Sequence, residues 1–210
     1  MRKFETYRLI ERYYFPADKE TTLSDNVLEL VSRCLRSDQS AMVELVDTHR
    51  GQVFGLCYRM LRHRQDAEDV TQESFVRALR SLHTWDQQRE FLPWLLAIAG
   101  NRCRTLLAVR MRQPGTTSLV EQLSDDAQEV SEARNLAEEV DLALSTLRSE
   151  YRQAFLLFHQ HEMSYAQISV TLDCPLGTVK TWVHRARREL IAQLKNRGVV
   201  QELRHAVRRV

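Results

Sequence analysis

Apolar residues recur at helical spacing along most of this chain, and this pattern constrains the fold more than any other feature of the sequence. Residues that break helices are scarce, since the 210 residues include only six Gly and four Pro. Strand-like alternation of apolar and polar residues is nearly absent. Because a period near 3.6 residues indicates amphipathic helices and a period of two indicates strands, we expect an all-α protein.

One segment interrupts the helical pattern. Residues 113–131 contain Pro, Gly, Ser, Thr and acids with weak periodicity, which is typical of a linker. We therefore expect two small helical domains, at 26–112 and 132–197, joined by a flexible acidic linker. A polar and aromatic N-terminal extension at 1–25 and a basic C-terminal tail at 198–210 flank them.

Each predicted domain contains four helices, and the last two helices of the second domain are joined by a very short turn. The expected bounds are about 26–36, 39–62, 65–82 and 90–112 in the first domain and 132–147, 150–161, 164–172 and 175–196 in the second. Asp173 can adopt the left-handed conformation more readily than most residues. Pro175 suits the first turn of a new helix. Two helices joined in this way cross steeply, so we predict a helix-turn-helix in the second domain.

Charge is segregated along the chain, although the net charge is only +2. The stretch 121–141 has eight acids and one base, whereas 180–210 has nine Lys and Arg and two Glu. Such segregation favours a polyanionic partner for the C-terminal end.

Several classes of protein are disfavoured. The N-terminus has no uninterrupted apolar stretch and no run is long enough to span a bilayer, so we expect a cytoplasmic protein without membrane insertion. The four Cys are widely spaced with no C-x-x-C pair, which argues against a zinc site or a disulfide framework. No Gly-rich phosphate loop, H-E-x-x-H or nucleophile elbow is found, so we expect neither an enzyme nor a cofactor.

The last predicted helix has one apolar and one cationic side. At about 100° per residue, the apolar stripe consists of Leu176, Val179, Val183, Ala186 and Leu190. The opposite side presents Thr178, Thr181, His184, Arg185 and Arg188, with Lys180 and Arg187 beside it. Hydroxyls and Arg can read base edges in a major groove, and Lys and Arg can neutralise phosphates. Two interpretations stay open at this point, a DNA-binding helix and an ordinary solvated basic helix.

In the first domain, the stretch DAEDVTQESFVRAL carries an acidic face. Asp66, Asp69 and Glu73 fall on one side of the predicted helix, with Arg77 and Arg80 nearby. These residues could form a solvated face with i,i+4 pairs such as Glu73–Arg77. The three clustered acids could also engage a basic helix of a partner protein.

The next predicted helix, FLPWLLAIAGNRCRTLLAVRMR, is apolar in its first half and basic in its second. The second half has four Arg and no acid, and Asn101 adds a group that can donate and accept hydrogen bonds. A polar loop with Trp85 and Arg89 precedes the helix. Cations beside aromatic rings can hold single-stranded nucleic acid. The alternative is that the aromatic residues, such as Trp94, belong to the core.

Three of these stretches together resemble bacterial RNA polymerase sigma factors of the extracytoplasmic-function (ECF) group. DAEDVTQESF is similar to the hallmark of the second conserved region of that family. LPWLLAIAGNRCR is similar to the segment that follows it, and LDCPLGTVKTWVHRAR is similar to the fourth region. The resemblance covers roughly 38–112 and 136–195, including the order and spacing of the motifs.

The resemblance implies a function and partners. Sigma factors of this group bind core polymerase, direct it to a promoter and help to melt the start-proximal element. The implied partners are the β and β′ subunits of the core, promoter DNA and an anti-sigma factor or other regulator, with no cofactor and no metal. By resemblance, Asp66, Asp69, Gln72 and Glu73 would dock on a basic coiled coil of the large polymerase subunit.

The resemblance also implies which residues meet DNA. The residues implied for the −10 element, in the loop at 83–90 and the following helix, are Trp85, Arg89, Asn101, Arg102 and Arg104. Those implied for the −35 duplex are Thr178, Lys180, Thr181, His184, Arg185 and Arg188. The alternative is a helix-turn-helix repressor or activator that acts without docking on core polymerase, and a protein-binding adaptor is a further rival.

Overall fold

The structure, a computed structural model, describes residues 24–112 and 132–199. Over these residues the chain is helical, with α1 at Ser24–Leu35, α2 at Gln39–Leu61, α3 at Arg64–Ser81, α4 at Phe91–Arg112, α5 at Glu132–Ser145, α6 at Ser149–His159, α7 at Tyr165–Thr171 and α8 at Leu176–Asn196. The all-α prediction is confirmed, and each predicted helix is present with bounds shifted by a few residues at most. The predicted linker and nearly all of the N-terminal extension and basic tail lie outside the described residues.

The first group of helices, α1 to α4, buries one apolar side of each helix. Helix α2 packs against α1, α3 and α4, and α3 packs against α4. The buried side chains include Leu45, Val53, Leu56, Met60, Val70, Phe75, Leu95, Leu96 and Ala99. At roughly 25 cal/mol per Å² of apolar surface, this burial is the main stabilising contribution.

The turns between these helices are fixed by local hydrogen bonds. Asp38 caps α2, because its Oδ1 accepts hydrogen bonds from the backbone N–H groups of Ser40 (2.9 Å) and Ala41 (3.2 Å). Arg62 ends α2 in the left-handed conformation at φ 57°, and its N–H donates to the carbonyl of Tyr58. The next residue, His63, caps the start of α3, because its Nδ1 accepts a hydrogen bond from the N–H of Asp66 in the first turn. A sharp reversal of this kind lets α2 and α3 pack side by side.

The second group of helices has its core between α5, α6 and α8. Helix α8 packs against both α5 and α6. Its buried residues are Val179, Val183, Ala186, Leu190 and Leu194. Leu176, which the sequence pattern placed in the same stripe, is instead 42% exposed because it lies in the first turn, beyond the reach of these helices.

The carbonyl groups at the end of α5 are satisfied by a side chain from the next helix. Arg152, which is buried on α6, donates through Nη2 to the carbonyl oxygens of Ser145 and Leu147, the latter at 3.0 Å. Cations are favourable at the C-terminal end of a helix, where unpaired carbonyls concentrate negative partial charge. Arg152 therefore fixes the connection between α5 and α6.

The turn of the predicted helix-turn-helix is confirmed. Asp173 adopts the left-handed conformation at φ 48°, as its residue type predicts. Pro175 lies one residue before the helix rather than in its first turn, with φ −58° and ψ 142°. Its carbonyl accepts from the N–H groups of Thr178 (2.8 Å) and Val179 (3.2 Å), so Pro175 caps α8 through its backbone.

Neither a membrane span nor a metal cluster is found in the part of the chain that the structure describes. None of the helices in 24–112 and 132–199 has the length and apolar character needed to cross a membrane. Within the same ranges, His, Cys, Asp and Glu form no group of three or more that could hold a metal ion.

Candidate nucleic-acid interface

The acidic face of α3 is largely engaged by Arg residues of its own domain. Arg110 on α4 donates from Nη2 to Oδ2 of Asp66, whose side chain is 19% exposed. Arg77 and Arg102 both donate to Glu73, from Arg77 Nη2 to Oε1 at 2.8 Å and from Arg102 Nη2 to Oε2 at 2.5 Å. The hydrogen bond from Arg102 is the largest influence lowering the pKa of Glu73. The i,i+4 pair Glu73–Arg77 that the sequence suggested is present, together with two pairs to α4 that the sequence did not indicate.

The two remaining residues of this face are exposed. Asp69 accepts a hydrogen bond at 3.2 Å from the side-chain amide of Gln65, one turn earlier on α3. Gln72 lies on the same exposed side. Four residues implied as polymerase contacts therefore lie on one side of α3, and two of them form ion pairs with Arg residues of α4.

The loop before α4 is organised by Asp86. Its Oδ1 accepts from the N–H of Gln88 at 3.0 Å, and its carbonyl accepts from the N–H of Arg89 at 2.9 Å. The Arg89 Nε lies 3.2 Å from Asp86 Oδ2, and both side chains are more than half exposed. Arg89 is therefore held at the surface of the loop by a weak, solvent-screened pair.

Trp85 lies in the core rather than on the surface that its implied DNA contact requires. It is only 7% exposed, and its ring meets the ring of Phe91 edge-on at 5.3 Å between centroids. Phe91 also contacts His49 and Trp94, at 5.2 and 5.6 Å. The physical reason is packing, because an aromatic ring gains more from burial among other rings than from exposure to water. In this arrangement Trp85 anchors the loop beneath its exposed residues.

Two polar residues of α4, Asn101 and Arg104, lie one turn apart on the helix. Asn101 is exposed, and its Oδ1 accepts a hydrogen bond from Nη2 of Arg104. Arg102 is 28% exposed and bonded to Glu73, as described above. Asn101 and Arg104 thus form a joint polar surface, whereas Arg102 is turned toward α3.

The outward side of α8 carries most of the residues that the sequence pattern placed there. Lys180, Thr181, His184, Arg185 and Arg188 are exposed, and Thr178 is half-buried. The hydroxyl of Thr181 donates to the carbonyl of Gly177 at 2.8 Å, which leaves its lone pairs outward. Lys180, His184 and Arg188 make no hydrogen bond or ion pair within the described parts of the chain. This side therefore offers hydroxyl, imidazole and cationic groups to a ligand.

Arg187, which the sequence pattern placed beside the cationic side, is turned inward. It donates from Nε and Nη2 to Nε2 of His159 at 3.3 and 3.1 Å, and its guanidinium lies 5.0 Å from the ring centroid of Phe158. Burial, and to a smaller extent the charge of Arg187, lower the pKa of His159 to about 3. A neutral His159 can accept from Arg187, so this pair fixes α8 against α6.

The sequence-based interpretation missed two residues next to this side of α8, Tyr151 and Arg148. Arg185 donates from Nη1 to the hydroxyl of Tyr151 on α6 at 2.9 Å, and its guanidinium lies 6.0 Å from the centroid of that ring. The guanidinium of Arg148, the residue before α6, lies 5.3 Å from the same centroid. No periodicity within α8 could have indicated a contact with residues more than 30 positions earlier in the chain.

Comparisons with known proteins agree with this arrangement. The sigma-70 region 2 family matches residues 45–113, and the sigma-70 region 4 family matches residues 137–190. The ECF RNA polymerase sigma factor SigW of Bacillus subtilis is 30% identical over 180 residues, which cover 79% of this chain and 95% of SigW. The ECF RNA polymerase sigma-E factor of Salmonella typhimurium is 31% identical over 180 residues, which cover 80% of this chain and 93% of that factor.

A solved structure shares the fold. It is that of the sigma factor RpoE of Bartonella quintana in complex with the anti-sigma factor NepR, with a TM-score of 0.59 and 20% identity, covering 72% of this chain and 95% of RpoE. The two family matches lie in the same order as the two helical groups, and SigW and this sigma-E factor match nearly over their whole length. The chain therefore belongs to the extracytoplasmic-function group of RNA polymerase sigma factors, which bind core polymerase and direct it to promoters.

Proposed function

We propose that the two helical groups divide promoter recognition between them. Residues 26–112 engage core polymerase and the −10 element, and residues 132–197 bind the −35 element as duplex DNA. The observation that carries the proposal is the outward side of α8, where hydroxyl and cationic groups stand exposed opposite a buried apolar stripe. This side has the composition of a recognition helix in a major groove.

Polymerase docking is assigned to α3. The proposed contacts are Asp66, Asp69, Gln72 and Glu73, and their partner is a basic helical surface of the core. Asp69 and Gln72 are exposed and can bind directly. Glu73 is 37% exposed, so one side of its carboxylate remains accessible beside Arg77 and Arg102. Asp66 is the most enclosed of the four, which makes it a support for the surface as much as a contact.

The −10 element is assigned to the loop before α4 and to the polar positions of that helix. Arg89 lies on the surface of the loop, and Asn101 and Arg104 form a joint polar surface. Exposed amide and guanidinium groups can bind both bases and phosphates of a melted strand. The role of Trp85 is to hold the loop in place from below, and Arg102 reaches the strand only when its bond to Glu73 opens.

The −35 element is assigned to Thr178, Lys180, Thr181, His184, Arg185 and Arg188. On a helix of about 100° per residue, Thr181, Arg185 and Arg188 point most directly away from the buried stripe, whereas Lys180 and His184 lie toward one side and Thr178 toward the other. The central residues are thus best placed for base edges. Those at the sides are nearer the two sugar-phosphate strands that border a groove.

Regulation by an anti-sigma factor follows by analogy. The RpoE structure that shares this fold contains the anti-sigma factor NepR, and we propose that this chain is likewise held inactive by a protein of that kind. The chain acts by binding, and the polymerase supplies the chemistry of RNA synthesis. Its place of action is the cytoplasm, where bacterial polymerase and promoters meet.

Reconstituted transcription tests the proposal. Purified full-length chain is added to bacterial core polymerase, and transcript 5′ ends are mapped on genomic DNA fragments from the source organism. We expect a limited set of new start sites that share two upstream elements. A chain that binds DNA alone but gives core polymerase no new start sites would instead be a conventional helix-turn-helix regulator.

A matched pair of variants locates the two interfaces. Asp69→Ala with Gln72→Ala removes exposed α3 groups and should lower affinity for core polymerase while the fold is retained. Arg188→Ala should leave core binding unchanged and impair start-site selection. If the α3 double variant bound core polymerase as the wild type does, the docking surface would lie elsewhere.

A further inference from the structure

Tyr151 contacts two Arg side chains, Arg148 and Arg185, from different parts of the second domain. Its ring is only 5% exposed, and its hydroxyl accepts a hydrogen bond from Nη1 of Arg185 at 2.9 Å. The guanidinium groups of Arg148 and Arg185 lie 5.3 and 6.0 Å from the ring centroid. These distances are within the range of cation–π attraction. We call Arg148, Tyr151 and Arg185 the Tyr151 cluster.

The contact with Tyr151 leaves most of Arg185 available to a ligand. A guanidinium has five N–H donors, and the hydroxyl of Tyr151 takes one of them on Nη1. The edge formed by Nε and Nη2 lies away from this bond and can bind a phosphate or a guanine in a bidentate manner. Arg185 is exposed on α8, so this edge can reach solvent while Nη1 stays bonded.

Arg148 brings a cation to this surface from outside the recognition helix. It precedes α6, and its side chain is 69% exposed. The acids that face the cluster are Glu150, whose Oε2 lies 3.8 Å from Nε of Arg148, and Glu189, whose charge acts on Arg185 from one turn further along α8. A separation of 3.8 Å is a weak pair in water, so Arg148 can exchange Glu150 for a phosphate at little cost.

We propose that the Tyr151 cluster extends the −35 interface beyond α8, with Tyr151 as a positioning residue for Arg185 and Arg148 as an additional contact to the DNA backbone. This inference rests on the proposed function of the second domain. A long side chain loses conformational entropy when it binds, and a guanidinium already held by a buried hydroxyl loses less. Tyr151 therefore increases affinity for DNA without touching it.

The test uses preformed holoenzyme made from full-length chain and bacterial core polymerase. The wild-type holoenzyme first selects a duplex from a pool of randomised sequence, and that duplex becomes the probe. Affinity is then measured by fluorescence anisotropy between 50 and 200 mM salt for Tyr151→Phe, Arg148→Ala, Arg185→Ala and the double variant Tyr151→Phe with Arg185→Ala. Arg36→Ala, which removes an exposed Arg after α1, is the matched control.

The expected results differ between the members of the cluster. Tyr151→Phe keeps the ring and loses only the hydroxyl, so we expect affinity to fall about 3- to 10-fold in the wild-type background. In the Arg185→Ala background the same change should have no effect, because there is no guanidinium left to position. Arg148→Ala should lower the slope of log affinity against log salt by about 1, with base preferences unchanged. Arg36→Ala should match the wild type.

Three outcomes would overturn the inference. One is an equal loss from Tyr151→Phe in both backgrounds, which would mean that the hydroxyl acts on the fold and not through Arg185. Another is an unchanged affinity and salt slope in Arg148→Ala, which would place Arg148 outside the interface. A wild-type holoenzyme that selects no duplex would refute the proposed function itself. This outcome can be told apart from the other two, because the selection step comes before any variant is compared.

Discussion

Arg102 on α4 donates a hydrogen bond of 2.5 Å to Glu73 on α3, so a residue assigned to DNA and a residue assigned to polymerase neutralise each other within one domain. The two residues are 29 positions apart in the chain. Neither is deeply buried, with side-chain exposures of 28% and 37%. A pair of this exposure contributes little to stability, on the order of 0–1 kcal/mol, and its larger consequence is for binding.

We expect Glu73→Gln to have opposite effects on the two partners. The variant removes a carboxylate from the docking surface, so affinity for core polymerase should fall. It also removes the negative charge that holds Arg102, so the chain without polymerase should bind a single-stranded oligonucleotide carrying the −10 sequence several-fold more tightly. Fluorescence anisotropy measures both, with Arg102→Ala in the same background as the control. An unchanged oligonucleotide affinity in Glu73→Gln would show that the pair does not restrain Arg102.

Trp85→Phe should preserve promoter opening, and Trp85→Ala should not. Phe retains an aromatic ring in the cluster around Phe91, and the indole N–H of Trp85 makes no hydrogen bond within the described residues that Phe would lose. Truncation to Ala leaves a cavity that costs about 3–5 kcal/mol and releases the loop. Urea unfolding and permanganate footprinting of the melted strand measure the two effects. Loss of melting in a fully stable Trp85→Phe would instead indicate a direct contact between the indole and a base.

Arg188→Ala should relax base preference. Arg188 points away from the buried stripe of α8 and makes no ion pair within the described residues, so its guanidinium is available for a base edge. The loss of one bidentate contact reduces discrimination at one base pair by about 1–3 kcal/mol. Selection from a pool randomised in the upstream element measures this directly. A uniform loss of affinity with unchanged preferences would assign Arg188 to phosphate instead.

The stability of the second domain should depend on His159 between pH 3 and 6.5. The pKa of His159 is lowered from 6.5 to about 3, first by burial and then by Arg187, so between these values the unfolded chain binds a proton that the folded chain does not. The contribution of His159 to the free energy of unfolding is therefore fully present above pH 6.5. It falls as the pH decreases below 6.5, by up to about 1.4 kcal/mol per pH unit. Urea unfolding of wild type and His159→Gln from pH 5 to 7.5 measures the difference. Parallel pH profiles for the two proteins would contradict the prediction.

Asp141 affects the pH dependence of the free energy of unfolding in the direction opposite to His159, so the same experiment must separate the two contributions. Burial raises its pKa from 3.8 to about 7, so between these values the folded chain holds a proton that the unfolded chain has lost. Its contribution therefore decreases as the pH rises toward 7, opposite in sign to that of His159. Asp141→Asn removes this contribution, and the profile of that variant should rise more steeply with pH than that of the wild type.

The helices and their buried sides were predictable because they depend on local information. The period of apolar residues determines which side of α8 is buried, and the residue type of Asp173 favours the left-handed turn before it. The motifs in α3, α4 and the helix-turn-helix indicated the family for the same reason, since each is a contiguous stretch of sequence. Leu176 departed from the pattern because a helix end extends beyond the surface it packs on.

What the sequence by itself determined is therefore the set of helices, the family and the composition of each exposed side. Only the tertiary structure decided which of those exposed groups are available. Arg102 is bonded to Glu73, Arg187 to His159 and Arg185 to Tyr151, and Trp85 is buried against Phe91. Periodicity specifies the direction in which a side chain leaves its own helix, but the partner it meets depends on how helices distant in the chain pack against each other.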